Sequence, residues 1–271
     1  MVAMSKPHPP QPCVAISGAS GSLGRALLRH WHRRGARLIA LCSGSTPLEL
    51  QDASGAPIPL RQVQWQVGAE EQLRPLLQEV DVLVLNHGVN VLSGRSASDT
   101  ERSLQVNALS SWRLLELFAA VVQERQQQQQ EQQQPSVVAG TEGDRPALRP
   151  QPELWLNTSE AEIQPAFSPL YEISKRLAGQ LLSLRALDLA EDPAGPRLRL
   201  RRLVLGPFRS ALNPVGLMGA DFVAGQVLAQ ARLGCNLIIV TPNPLTYLLM
   251  PLTCLGRWLY YRLLTRGSSP S

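Results

Sequence analysis

Short apolar runs alternate with amphipathic stretches along most of the chain. The first run, Cys13–Ser17, ends at a glycine cluster, after which Leu23, Leu27 and Trp31 recur at a spacing of four residues. That spacing places the three side chains on one face of a helix, which we expect to end near Gly35. The pattern therefore predicts a strand followed by a helix, the first unit of a parallel sheet.

The same alternation continues to residue 241. Further strands are predicted at 37–42, 63–67, 82–85, 197–205 and 237–240, with another that starts at 154–156 and ends at 157–159. Helices are predicted at 70–79, 104–122, 169–190 and 221–232. Alternation of strand and helix is typical of an α/β fold with a doubly wound parallel sheet. Residues 13–241 are therefore expected to form a single Rossmann-like domain.

Two polar segments depart from this pattern. Residues 1–12 are polar and rich in proline, so we expect a disordered tail and no signal peptide. Residues 123–134 contain nine glutamines. Low-complexity polar sequence buries too little surface to order itself, so 123–152 is predicted to be an insertion loop.

Residues 242–271 predict an apolar helical extension of the domain. No charged residue lies between positions 233 and 256, and aromatic residues and arginines follow. Such a helix suits a bilayer interface, where rings lie at the headgroups and arginines reach the phosphates. A lid over the substrate cleft or a homodimer contact is an equally weighted alternative. Interrupting prolines make a membrane-spanning helix the least favoured interpretation.

Composition narrows the classes of function. The 271 residues are 44% apolar, carry a net charge of +5, and include 26 basic residues, of which two, Lys6 and Lys175, are lysines. This balance suits a phosphate-bearing ligand or an anionic surface, but the basic stripe interleaved with aromatics that nucleic-acid binding requires is missing. The four cysteines and four histidines are scattered, so we expect neither disulfides nor a metal site. We expect a cytoplasmic protein, with peripheral membrane contact through 242–271 as one option.

A glycine-rich loop, Ser-Gly-Ala-Ser-Gly-Ser-Leu-Gly at 17–24, lies directly between the first predicted strand and helix. Glycines there permit a tight turn and the close approach of a pyrophosphate, which free amides at the helix start then stabilise. The loop predicts dinucleotide binding through Gly18, Ser20, Gly21, Ser22, Leu23 and Gly24.

The end of the second predicted strand bears on the choice of dinucleotide. It reads Cys-Ser-Gly-Ser-Thr at 42–46, without the acidic residue that binds the ribose 2′-hydroxyl of NAD. Hydroxyl groups in a basic background can accept a 2′-phosphate, so NADP(H) is predicted over NAD(H), with Ser43 as a contact. Arg25 and Arg37 are candidate partners of that phosphate, with a solvated surface arginine as an alternative of at least equal weight for each.

Tyr171 and Lys175 stand four residues apart in a predicted helix, so the ammonium lies beside the phenol. A phenol with a pKa of about 10 is a poor acid or base at neutral pH, and a nearby positive charge is expected to lower that pKa. The pair could then move a proton to or from a substrate oxygen. Thr158 and Ser159, at the end of the preceding strand, offer a hydroxyl to bind that oxygen.

Together these residues resemble the short-chain dehydrogenase/reductase family over roughly 13–210, apart from the glutamine-rich segment. The resemblance implies that Tyr171 and Lys175 are the acid/base pair, that Asn107 helps hold the lysine through a water, and that Ser159, or else Thr158, positions the substrate oxygen. It also implies cofactor contacts from Asn86, Gly88, Gly206 and Pro207, and from Lys175, which would hold the nicotinamide ribose. The implied activity is NADP-dependent interconversion of a carbonyl and a hydroxyl on a small apolar or lipid-like substrate.

Several features depart from the family pattern. The glycine spacing of Gly18, Gly21 and Gly24 is closer to an epimerase-like branch, so an epimerase or dehydratase stays open, as does a catalytically idle NADP-binding sensor or scaffold. Segments 85–88 and 157–160 also resemble proteins labelled sterol desaturase/short-chain dehydrogenase. Desaturase chemistry uses a histidine-rich di-iron centre, which four unclustered histidines are not expected to provide.

Overall fold

A computed structural model describes residues 11–133, 149–211, 213 and 215–265. Seven parallel strands form one sheet in the order β3-β2-β1-β4-β5-β6-β7. They are β1 Cys13–Ser17, β2 Arg37–Cys42, β3 Arg61–Gln64, β4 Val82–Leu85, β5 Glu153–Ser159, β6 Arg199–Leu205 and β7 Leu237–Val240. Strand order reverses between β1 and β4, which opens a crevice at their carboxyl ends. The predicted doubly wound sheet is confirmed.

Helices of the described residues cover both faces of the sheet. They are α1 Ser22–His32, α2 Arg74–Leu77, α3 Ala97–Leu104, α4 Ser110–Gln133, α5 Pro169–Glu191, α6 Ala220–Arg232 and α7 Pro244–Leu264. Short 3₁₀ turns at Glu70–Leu73 and Glu160–Glu162 and a π-helical turn at Gln105–Leu109 complete the helical segments.

The core explains why the sheet is central. Every residue of β1 and β4 is buried, as expected for parallel strands covered on both faces. Val14 and Ile16 of β1 pack toward α1 and α6, and Ala15 between them packs toward α4. This alternation follows from the two-residue period of a strand.

Some predicted boundaries move for local reasons. The bounds of β1, β2, β4 and β7 agree with their predictions, whereas β3 lies a little earlier than 63–67. The helix predicted at 70–79 becomes a 3₁₀ turn followed by the short helix α2. Pro75 stands at the start of α2, and because it has no amide proton it cannot continue hydrogen bonds from the turn before it.

The glutamine-rich segment differs from its prediction as a loop. Helix α4 continues through the glutamines to Gln133. Glutamine has a favourable helix propensity, and the buried Leu114 and Phe118 fix the earlier turns, so each added glutamine only extends an existing helix. The predictions for 1–10 and for 134–148 fall outside the described residues.

Helix α7 lies where the C-terminal helical extension is predicted. It packs beside α5 and buries Met250 against Val204 of β6 and Ile239 of β7. Across the described ranges, no helix combines the length and the apolar character that crossing a bilayer requires.

Candidate active site

The glycine loop brings the end of β1 close to the start of α1. Gly18 has a φ of +62°, and a Cβ atom there would lie 2.9 Å from the Cα atom of His87. A Cβ atom on Gly24 would lie 2.4 Å from the carbonyl oxygen of Gly18, which also accepts a hydrogen bond from the amide of Gly21 at 3.1 Å. A side chain at position 24 would therefore push α1 away from the glycine loop, and one at position 18 would collide with the backbone that follows β4.

The N-terminus of α1 suits a phosphate group. Ser20, Gly21 and Ser22 are exposed, the first turn has no acidic residue, and no side chain in the described part of the chain caps it. Unpaired amides and the helix dipole favour an anion at such a position. The loop thus fits the predicted dinucleotide, although the side chain of Leu23 packs into the core.

The exposed end of β2 adjoins this loop. The carbonyl oxygen of Ser43 accepts hydrogen bonds from the side chains of Gln64 and Gln66 at 3.4 and 3.3 Å. From α1, the guanidinium of Arg25 donates to the carbonyl oxygens of Ser20 at 3.0 Å and Glu49 at 3.4 Å. Arg25 therefore links the glycine loop to the connection that follows β2.

Arg37 does not reach this region. It begins β2, at the amino edge of the sheet, and its guanidinium lies 3.5 Å from the carboxylate of Glu79. The prediction that Arg37 binds a cofactor phosphate is wrong, because the glycine loop lies at the opposite end of the strands.

Ser17 fastens the end of β4 to the glycine loop, a role that the sequence did not reveal. Its hydroxyl accepts a hydrogen bond from the amide of Asn86 at 3.0 Å and lies 2.7 Å from Nδ1 of His87. The side chain of Asn86 donates to the carbonyl oxygen of Gly18 at 3.4 Å. Burial, assisted by the positive charge of Lys175, lowers the pKa of His87 to about 4, so this histidine is neutral at pH 7.

Asn107, in the π-helical turn, ties the connection after β4 to α5. Its Oδ1 accepts a hydrogen bond from the amide of Val89 at 2.7 Å, and its Nδ2 donates to the carbonyl oxygen of Val89 and to the hydroxyl of Ser174, each at 2.9 Å. A Cβ atom on Gly88 would lie 3.2 Å from Oδ1 of Asn107. Asn107 thus holds the residue that precedes Lys175.

Tyr171 and Lys175 share one face of α5. The Nζ atom of Lys175 lies 5.6 Å from the centroid of the Tyr171 ring, and the lysine is buried. Its ammonium donates a hydrogen bond to the carbonyl oxygen of Asn157 at 2.9 Å. The side chain of Asn157 donates in turn to Oδ1 of Asn86 at 2.7 Å. The part played by Asn157 was missed, since a backbone acceptor has no signature in the sequence.

The pKa of Tyr171 differs from its prediction. Burial raises the pKa of the phenol above its ordinary value, and a hydrogen bond with the hydroxyl of Ser159 acts in the opposite direction. The expected lowering by Lys175 is wrong, because the ammonium bonds to the carbonyl oxygen of Asn157 and not to the phenol oxygen. Burial also lowers the pKa of Lys175, to about 8.

The hydroxyl of Ser159, and not that of Thr158, lies beside the phenol of Tyr171. Adjacent residues of a strand point to opposite faces. The hydroxyl of Thr158 is buried and donates to the carbonyl oxygen of Leu203 at 3.1 Å. The hydroxyl of Ser159 accepts from the amide of Ala161 at 3.2 Å and interacts with Tyr171. This geometry favours Ser159 as the hydroxyl beside Tyr171.

Gly206 and Pro207 continue the same edge of the sheet after β6. The amide of Gly206 donates to the carbonyl oxygen of Val240 at 2.9 Å, and a Cβ atom on Gly206 would lie 2.3 Å from Oγ1 of Thr241. The carbonyl oxygen of Pro207 accepts from the amide of Leu217 at 2.9 Å. The predicted cofactor and catalytic residues therefore lie on elements that meet at the carboxyl edge of the sheet.

Solved structures share this architecture. A short-chain dehydrogenase from Burkholderia cenocepacia J2315 in complex with NADP superposes with a TM-score of 0.68 and 17% identity, over 94% of this chain and 98% of that one. A short-chain dehydrogenase from Sphingobium yanoikuyae in complex with NADPH gives a TM-score of 0.65 and 15% identity, over 96% and 98%. At these identities the likeness confirms the predicted fold.

Comparison of the sequence with known proteins identifies the family of the chain. A protein named monoglucosyldiacylglycerol epimerase, from Synechocystis sp. (strain ATCC 27184 / PCC 6803 / Kazusa), is 41% identical over 255 residues, which cover 94% of this chain and 55% of that protein. The chain thus spans about half the length of this curated relative. The model of the NAD dependent epimerase/dehydratase family matches residues 14–183. The chain therefore belongs to the NAD dependent epimerase/dehydratase family, whose members are NAD(P)-dependent enzymes.

Proposed function

We propose that the chain inverts a hydroxyl-bearing carbon in the hexosyl group of a glycolipid, without net oxidation. The observation that carries this proposal is the 41% identity to a monoglucosyldiacylglycerol epimerase over 94% of the chain. That span includes Ser159, Tyr171 and Lys175. The proposed substrate is thus a lipid with a sugar headgroup, a narrower class than the small apolar or lipid-like substrate that the sequence predicts.

Each site residue has a defined task in this reaction. The hydroxyl of Ser159 binds the reacting oxygen, and Tyr171 takes the proton of that oxygen and later returns it. Because burial raises the pKa of this phenol, the phenolate that takes the proton is its minor form at pH 7. Lys175 keeps a positive charge beside the phenolate, because a pKa of about 8 leaves it mostly protonated at pH 7. The glycine loop and Lys175 would hold the nicotinamide dinucleotide, which would supply reversible hydride transfer at the carbon that bears this oxygen.

NADP(H) is the proposed dinucleotide. The segment after β2 exposes the hydroxyls of Ser43 and Ser45 and has no acidic residue before Glu49. Arg25 is the cation held beside that segment by its contacts with Ser20 and Glu49. A guanidinium can bind a 2′-phosphate through two parallel hydrogen bonds. The ribose 2′-hydroxyl of NAD is instead bound by a carboxylate at this position.

A net oxidoreductase is the second candidate. Solved short-chain dehydrogenases of the same fold bind NADP and NADPH, and the Ser159, Tyr171 and Lys175 set suits reduction of a carbonyl equally well. In this case the reduced product leaves and the oxidised dinucleotide must be replaced. An idle NADP-binding scaffold is the least favoured function. Burial disfavours the charged form of Lys175 and lowers its pKa to about 8, and a protein without catalytic activity has no need of such a lysine.

Turnover and redox balance separate these functions. The full chain is incubated with NADP(H) and monoglucosyldiacylglycerol in detergent micelles, with the sugar ring followed by NMR and the nicotinamide by absorbance. We expect the epimeric monohexosyl lipid to form with no net change in reduced dinucleotide. Stoichiometric consumption of NADPH or of NADP⁺ with a redox product supports the oxidoreductase, and the absence of any product contradicts both catalytic proposals.

Tyr171→Phe tests the proton transfer itself. We expect turnover to fall at least ~100-fold, the scale of general acid–base catalysis, while affinity for NADPH stays within a few-fold. Tyr247→Phe is the matched control, since the hydroxyl of Tyr247 lies on α7 and bonds to backbone oxygens of Ile239 and Thr241. Unchanged turnover in Tyr171→Phe refutes the assigned role.

A further inference from the structure

Helix α7 turns its apolar side outward. Half of its six buried or half-buried positions are polar, namely Thr246, Thr253 and Arg257. A helix on the surface of a soluble domain normally does the reverse. The outer face of α7 consists of leucines that are each at least 39% exposed: Leu245, Leu248, Leu249, Leu252, Leu255, Leu259, Leu263 and Leu264.

A buried ion cluster fixes this helix on the domain. The guanidinium of Arg257 donates to Oε2 of Glu162 at 2.7 Å, and the guanidinium of Arg202 donates to the same oxygen at 2.8 Å. The side chain of Glu162 is fully buried. The outer face of α7 is therefore presented to solvent by specific contacts on the inner side.

Further exposed apolar side chains border the candidate active site. The apolar rim consists of Leu92, Phe167, Val215 and Leu217, all strongly exposed. They stand in the connections that follow β4, β5 and β6. These connections leave the carboxyl edge of the sheet, where Tyr171 and Ser159 lie, so a surface that covers the rim also covers the entrance to the site.

Charge in this part of the chain favours an anionic partner. Positions 193 to 271 contain nine arginines and one acidic residue, Asp221. Four of these arginines are neutralised by two glutamates from outside this segment, which leaves an excess of positive charge: Arg199 and Arg201 pair with Glu153, and Arg202 and Arg257 pair with Glu162. The guanidinium of Arg262 lies 5.0 Å from the ring centroid of Trp258 on α7. Paired aromatic and basic side chains beside an apolar face suit the headgroup layer of a bilayer, where basic residues are attracted by anionic lipids.

We propose that the outer face of α7 and the apolar rim dock onto the surface of an anionic lipid bilayer. The hexosyl group of a glycolipid then reaches Ser159 and Tyr171 while its acyl chains remain in the bilayer. The identity of the substrate rests on the proposed function, but the docking surface does not. A second copy of the chain is a poorer occupant, since it would bring two arginine-rich segments together.

Vesicle binding tests the surface without any catalysis. The full chain is sedimented with glycolipid-free vesicles of phosphatidylcholine, with or without phosphatidylglycerol. We expect binding to the anionic vesicles that weakens as salt is raised. The double variant Leu248→Gln/Leu252→Gln is expected to bind at least ~10-fold more weakly, because two apolar side chains no longer enter the bilayer.

Leu233→Gln is the matched control. Leu233 is 82% exposed but follows the C-terminal end of α6, away from the rim, so binding is expected to match that of the parent chain. Unfolding midpoints show whether each variant is folded. The proposal is overturned if the parent chain does not bind anionic vesicles, or if the double variant binds them as well as the parent chain does. It is also overturned if the parent chain forms a dimer without lipid and the double variant is monomeric. Failure of the proposed function shows instead as intact vesicle binding without epimerisation.

Discussion

The ammonium of Lys175 donates a hydrogen bond to the carbonyl oxygen of Asn157 at 2.9 Å. This bond holds the positive charge at the end of β5, while the centroid of the Tyr171 ring is 5.6 Å away. Asn157 is itself held by Asn86, at 2.7 Å, so the lysine is positioned by the strands before any substrate arrives. Burial opposes its charge and lowers the pKa of Lys175 from 10.5 to about 8.

Lys175→Met is expected to abolish turnover and to change how stability depends on pH. Between about pH 8 and pH 10.5 the unfolded parent chain binds a proton at Lys175 that the folded chain has released. The free energy of unfolding of the parent chain therefore rises through this window, by up to roughly 3 kcal/mol from this lysine. The variant lacks that rise.

Urea unfolding of both proteins at several pH values measures the effect, because other titrations cancel in the difference. The parent chain should gain stability relative to Lys175→Met as pH increases from about 8. Parallel profiles for the two proteins would contradict the lowered pKa of Lys175.

Ser159→Ala should mainly lower activity, whereas Thr158→Val should mainly lower stability. Ser159→Ala removes the hydroxyl beside Tyr171 and should lower kcat on the order of 100-fold, the scale of a lost oxygen-binding donor. Thr158→Val removes the hydrogen bond to Leu203 and should lower the free energy of unfolding by about 1 kcal/mol, with kcat within a few-fold. Steady-state kinetics and urea unfolding of both variants check this, and the reverse assignment would identify Thr158 as the catalytic hydroxyl.

Arg25→Ala should discriminate between the two dinucleotides. If its guanidinium faces a 2′-phosphate, affinity for NADPH should fall about tenfold, or about 1.4 kcal/mol, while affinity for NADH stays unchanged. Arg37→Ala is the control, since Arg37 lies at the amino edge of the sheet beside Glu79. Fluorescence titration with each dinucleotide measures both affinities. An equal loss of affinity for NADPH and NADH would mean that Arg25 only supports the structure of the glycine loop and does not contact the 2′-phosphate.

The fold was predictable from local pattern. Continuous apolar runs gave β1 and β4, whose residues are all buried, and a helical spacing of four residues placed Tyr171 beside Lys175. These features depend on the chain within a few residues of themselves. The same holds for the glycine loop, where Gly18 and Gly24 are required by close approach to neighbouring backbone.

Features set by distant parts of the chain were not predictable. The sign of the pKa shift of Tyr171 depends on burial by other elements, and the acceptor for Lys175 is a backbone atom of β5. The ordering of the glutamines in α4 depends on buried side chains in its earlier turns, such as Phe118. A composition-based expectation of disorder ignores that support.

Glu162→Gln tests the ion cluster that holds α7. The neutral side chain leaves the buried guanidinium of Arg202 and the half-buried guanidinium of Arg257 without their shared counter-charge. Since removing one partner of a buried ion pair strands the other charge, we expect the free energy of unfolding to fall by about 3–5 kcal/mol. Glu71→Gln is the control, because the carboxylate of Glu71 pairs with Arg74 at an exposed site and should contribute at most about 1 kcal/mol. Urea unfolding compares the two, and similar losses in both variants would mean that the cluster does not anchor the helix.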